Sequence, residues 1–127
     1  MKVEDLMSGD WILYKSDSLE NAFPIQVTRE MFNKELVVWK DRFEPIPLTP
    51  EILKKNGILY EKLSYYYVIE NDEDLECTYY MIKGPQGGWA IGVDTGAYNC
   101  SVFARIKYTY ELQHALKLCG IDKEVSI

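Results

Sequence analysis

Apolar and polar residues alternate in short runs along most of the chain, and the period changes in only a few places. The turn residues Ser8-Gly9-Asp10 precede the first apolar run, Trp11 to Tyr14. A period of two there puts Trp11 and Leu13 on one face of a strand and Ile12 and Tyr14 on the other. The polar stretch KSDSLENA follows and reads as a loop. FPIQVTREM reads as a second strand, with Pro24 at its start, where a missing N–H is tolerated. ELVVWKDRF reads as a third. Three short strands joined by tight polar turns predict a small SH3-like curled sheet over residues 1–47.

The period breaks at PIPLTPEILKKNGI. Pro45 and Pro47 impose an extended approach. Thr49 is placed to cap a helix, Pro50 occupies its first position, and Glu51 favours the positive end of its dipole. Lys54 and Lys55 suit the other end, and Gly57 can take the left-handed stop. This predicts one short helix pinned to the core by Ile52 and Leu53. From Ile58 the period returns to two through ILYEKLSYYYVIE, LECTYYMIKG, WAIGVD and CSVFARIKY, an antiparallel meander of about four strands. The closing stretch YTYELQHALKLCGI has helical spacing: Tyr108, Leu112, Ala115, Leu116 and Cys119 share one face. Thr109 is the expected N-cap and Gly120 the C-terminal stop. The expected architecture is a single α+β domain spanning residues 1–127. Its strand cluster occupies 1–47, and a short helix, β-meander and C-terminal helix packed on the sheet occupy 48–127.

Composition narrows the function classes. The chain has 127 residues, 47% of them hydrophobic, enough for a real core. There is no long apolar run and no basic-then-apolar leader, so neither a membrane span nor a secretion signal is expected. Cys77, Cys100 and Cys119 are odd in number and lack paired spacing, which fits a reducing cytoplasm. The net charge of −6 disfavours a phosphate-tracking groove and hence nucleic acid as a general partner.

Several stretches invite a chemical reading. Glu70, Asp72, Glu73, Asp74 and Glu76 lack the glycine that a calcium loop needs at its bend, and read as a solvated hairpin tip. GPQGG lacks the Gly-Lys-Ser/Thr ending and the following helix of a phosphate cradle, and reads as a hairpin loop. Asp94-Thr95-Gly96-Ala97 after an apolar strand resembles the active-site loop of retroviral-type aspartic proteases, where two chains pair two aspartates around one proton. Too little chain follows Gly96, and too much precedes Asp94, for that fold, so a turn is the preferred reading. The tyrosines at 60, 65, 66, 67, 79 and 80 could form an exposed aromatic face on paired strands, for a protein partner or for stacked bases, or could cover a core. His114 and Cys119 diverge by about 140° on a helix and cannot share a metal. His114 is expected to face solvent beside Tyr110 and Leu118, as a partner-binding strip unless another part of the chain covers it.

Three blocks, EDLMSGDWILY, EPIPLTPEILKKNGI and IKYTYELQHALKLCGI, resemble a family of small uncharacterised proteins encoded by gut Bacteroidetes and their phages or mobile elements. Ile58 stands where that family has Phe, and Tyr110 where it often has His. The resemblance implies a mobile-element context and brings no catalytic residue. The expected function is therefore a non-enzymatic protein-interaction module with no cofactor and no metal. Its candidate partner-binding residues are Tyr65, Tyr67, Tyr79, Tyr110, His114 and Leu118, with self-association left open. The alternatives are hydrolysis at the Asp94-Thr95-Gly96 loop and single-stranded nucleic-acid binding through the tyrosines.

Overall fold

Ile12 anchors the first sheet. In the computed structural model, which describes residues 2–15, 22–96 and 99–127, strand β1 (Trp11–Lys15) lies between β2 (Ala22–Gln26) and β3 (Phe43–Pro45), all antiparallel. Ile12 faces Ile25 and Pro45 across the ladders and is fully buried. Tyr14 sits between Phe23 and Phe43, with ring centroids at 5.4 and 5.5 Å. The loop expected at KSDSLENA falls, apart from Lys15 and Ala22, outside the described residues.

The third strand differs from expectation. Residues Glu35–Val38 form a one-turn helix, α1, and Lys40–Arg42 a 3-10 turn; only Phe43–Pro45 is extended. The preceding strand also ends early, at Gln26, and Arg29–Asn33 is a 3-10 turn. The reason is tertiary. The segment buries Leu36 and Phe43 in the first core, while Val37, Val38 and Trp39 remain exposed. Two anchors seven residues apart fit compact turns, and burial overrides the β-propensity of Val37 and Val38.

Helix α2 (Pro50–Lys55) is built as expected. Thr49 Oγ1 accepts from the Ile52 N–H at 3.3 Å, and Gly57 takes φ +74°. The left-handed stop lets the Ile58 N–H return to the Leu53 carbonyl (2.9 Å), and both side chains are fully buried. Its end is also held from afar: the Asn56 amide exchanges two 2.7 Å bonds with the backbone of Ser126.

The meander has five strands rather than four: β4 (Leu59–Glu61), β5 (Tyr66–Asp72), β6 (Cys77–Lys83), β7 (Trp89–Asp94) and β8 (Cys100–Ile106), neighbours in chain order. ILYEKLSYYYVIE divides because Tyr65 takes φ +59°, a left-handed turn that no Gly or Asn announces. One face of this sheet carries Tyr67, Ile69, Tyr79, Met81, Trp89, Ile91 and Ile106, which form the main core with Leu48, Leu53 and Ile58. The Trp89 indole N–H donates to the buried Leu48 carbonyl (3.0 Å).

Helix α3 (Thr109–Leu118) closes the domain, and the protein is α+β. It serves both cores: Leu112, Ala115 and Leu116 enter the main one, and Tyr110 enters the first with Leu6, Ile12 and Phe43. The N-cap is Tyr108 rather than Thr109, which is the first helical residue and fully buried. The Glu111 carboxylate accepts from the Lys107 and Tyr108 N–H groups at 3.0 and 3.1 Å, the bonds that hold the helix start. No helix among the described residues is long and apolar enough to cross a membrane.

Candidate functional site: the open face of the meander sheet

Side chains alternate across a strand, so a sheet with one face in the core presents the other. The registers place Leu59, Val68, Tyr80, Gly92 and Val102 in one row across the open face. Beside it runs a second row of Glu61, Tyr66, Ile82, Ala90 and Arg105, and on the other side Thr78, Asp94 and Cys100. Neither hydrophobic core contains a residue of this face. At ordinary strand spacing it measures roughly 24 Å by 20 Å. Leu59, Ile82 and Val102 are about half exposed, as is Phe103, the unpaired residue of the bulge between Val102 and Ala104, and Leu63 in the adjoining turn is 90% exposed. These exposed apolar side chains share the face with Glu61, Arg105 and Asp94, which makes it the candidate site.

Two tyrosines floor the patch. Tyr66 and Tyr80 stack with centroids 4.7 Å apart and planes 17° off parallel. Both are buried although no core side chain covers them, because each ring covers the other and Tyr80 lies flat across Gly92. A Cβ at position 92 would stand 2.5 Å from the Tyr80 hydroxyl and 2.7 Å from the Ser101 carbonyl, so only glycine permits this arrangement. The Tyr66 hydroxyl donates to Asp94 Oδ2 at 2.9 Å, and the Gly96 N–H donates to Oδ1 at 2.9 Å. These two bonds, Gly96 first, hold the Asp94 carboxyl below its usual range. Burial and then the Asp94 charge raise the neighbouring Cys100 thiol. Burial raises the Tyr66 phenol, against a lowering bond to Ser64. Chemically this is a set of groups held in their resting states, with a carboxylate committed on both oxygens to closing a turn. Ala97, the fourth letter of the protease-like loop, lies outside the described residues.

The sheet is also polar from end to end. Of the charged residues between Ile58 and Lys107, those at the β5–β6 turn end are Glu70, Asp72, Glu73, Asp74, Glu76 and Asp94, all acidic. The opposite end carries Lys62, Lys83, Arg105 and Lys107 against a single acid, Glu61. The acidic turn is exposed, held by the Leu75 N–H donating to Asp72 Oδ1 (3.0 Å) and the Thr78 hydroxyl to Asn71 Oδ1 (2.7 Å). No grouping of His, Cys, Asp and Glu suited to a metal ion occurs among the described residues.

Of the six sequence candidates, Tyr110 and His114 meet edge-on with ring centroids 5.5 Å apart, and the six do not share one face. Tyr67 and Tyr79 pack half-buried on the core face, and Tyr67 meets Trp89 edge-on at 5.4 Å. Tyr110 is 7% exposed, inside the first core. Tyr65 and Leu118 are 76% and 88% exposed, one in the turn before β5 and the other at the end of α3. His114 does not face solvent freely, a correction to the expected strip. Its Nε2 lies 2.7 Å from Oδ2 of Asp10, which is fully buried and also accepts from the Met7 N–H at 2.7 Å. With Asp10 as a carboxylate, which can only accept, Nε2 is the donor of this bond. Beside this pair, the Gln113 amide accepts from the Trp11 N–H and donates to the Gly9 carbonyl, both at 2.9 Å. The SGDW turn and the QH pair of α3 thus form one clamp between the two halves of the chain.

The open face itself was missed at the sequence level. Its signal was present in the alternation of β6 to β8, where Ile82 and Val102 occupy positions opposite the core residues. No family model, curated protein or solved structure matches the chain.

Proposed function

We propose that the protein is a non-enzymatic interaction module whose docking surface is the open face of the meander sheet. The observation that carries this reading is the set of exposed apolar side chains, Leu59, Leu63, Ile82, Val102 and Phe103, on a face outside both cores. A rigid floor supports it: Tyr66 and Tyr80 are locked over Gly92 and lose little freedom on binding. The acidic end argues for a protein partner over a nucleic acid, and the three sequence blocks suggest a phage or mobile-element context. The test is a photo-crosslinking amino acid at position 82, compared with one at Asp74 on the acidic tip. Adducts to protein at 82 that vanish in Phe103→Lys support the reading; identical adducts at both positions, or adducts insensitive to Phe103→Lys, refute it.

A further inference from the structure

We propose that the partner seated on the open face is a second copy of this chain, packed face to face with its strands antiparallel to those of the first. The inference rests on the open face being a docking surface, and two observations select the occupant. Sheets bury exposed apolar faces by stacking about 10 Å apart with strand directions nearly aligned. A copy placed over the central row by a two-fold axis perpendicular to the strands sets Leu59 over Leu59 and Val102 over Val102. The second observation is the charge segregation. That two-fold axis sets the end holding Glu73, Asp74 and Asp94 over the end of the other copy holding Lys62 and Arg105, where Glu61 is the one acid.

The alternative two-fold axis, parallel to the strands, stacks acidic end on acidic end and is disfavoured by the same charges. Arg105 is exposed on this face at the end of β8 opposite Cys100. In the antiparallel arrangement it crosses the row of Cys100 and Asp94 of the second copy. The Asp94 carboxylate, kept ionised by Gly96 and Tyr66, faces that position. An overall charge of −6 opposes self-association at long range, and the end-to-end arrangement converts part of that charge into attraction at the interface.

Sedimentation velocity on the full chain, from about 1 µM to about 500 µM, reads the equilibrium directly. The expected result is a concentration-dependent dimer that weakens at least tenfold when salt is raised to about 0.5 M, because the steering charges are screened. Val102→Lys, at a half-exposed position, brings two lysines together on the axis and gives a monomer with unchanged far-UV circular dichroism. Lys62→Glu with Arg105→Glu weakens the dimer tenfold or more, and adding Glu73→Lys and Asp74→Lys restores it. A chain that stays monomeric throughout, a dimer indifferent to Val102→Lys, or charge reversals without rescue would each overturn the proposal. A monomer that still gives Phe103-dependent crosslinks from position 82 overturns the second copy while leaving the docking face intact.

Discussion

Replacing His114 with alanine tests the clamp that joins the N-terminal turn to the last helix. Asp10 is fully buried, and Oδ2 receives two donors, the Met7 N–H and His114 Nε2, each at 2.7 Å. Its other oxygen, Oδ1, has no hydrogen-bond partner among the described residues. The carboxylate therefore has no reserve when a donor is lost. Removing one partner of a buried pair costs about 3–5 kcal/mol, mostly from the charge left behind. The His114 side chain keeps 23% of its exposure, so water entering the space it leaves reduces the figure to about 2–3 kcal/mol. For a domain of this size that moves the urea midpoint down by roughly 1–2 M. Equilibrium urea unfolding of wild type, His114→Ala, Asp10→Asn and the double variant measures both the loss and the coupling. The double variant should lose less than the two single losses combined, with a coupling of about 1 kcal/mol or more. A midpoint shift below about 0.3 M, or additive single losses, would refute the reasoning and reduce the pair to a surface contact.

Two further outcomes follow from the open face. Gly92→Ala pushes a methyl group into the Tyr80 ring and the Ser101 carbonyl, and should destabilise by about 2–3 kcal/mol with loss of the near-ultraviolet tyrosine signal; an unperturbed melting temperature would contradict the packing. Asp94 has a folded pKa below its unfolded one, so its contribution is present above the ordinary carboxylate range and is lost as pH falls through the lower folded value. Asp94→Asn should accordingly be less stable than wild type at neutral pH and converge with it in strong acid; a stability gap independent of pH would exclude the carboxylate's charge as its source.

Local physics made a good part of this fold legible. The TPEILKKNG block contains its own cap, first-turn proline, dipole charges and left-handed stop within nine residues, and α2 forms where those signals stand. The alternation through β5 to β8 likewise predicted an antiparallel meander, and the stripe Leu112, Ala115, Leu116 predicted the core side of α3. Val37 and Val38 misled, because their β-propensity is weak beside the demand to bury Leu36 and Phe43. The turn at Tyr65 was hidden, because a tyrosine occupies a backbone conformation usually announced by Gly or Asn.

The candidate site was less legible for a physical reason. Sequence reading could place Tyr110 and His114 on the side of α3 away from Leu112, but what lies there depends on contacts about a hundred residues distant. Tyr110 found the first core, and His114 found Asp10. Likewise the acids at 70–76 and 94, and the bases at 62, 83, 105 and 107, are scattered along the chain and read singly as solvated surface. A meander folds every second turn to the same end of the sheet, and only that return gathers them into two opposed poles beside an open apolar face. The sequence by itself determined the periods, caps and turns, which depend on neighbours a few residues away. The tertiary structure alone decided which faces were covered, which charges met and which partner the histidine found, because those follow from segments brought together across the whole chain.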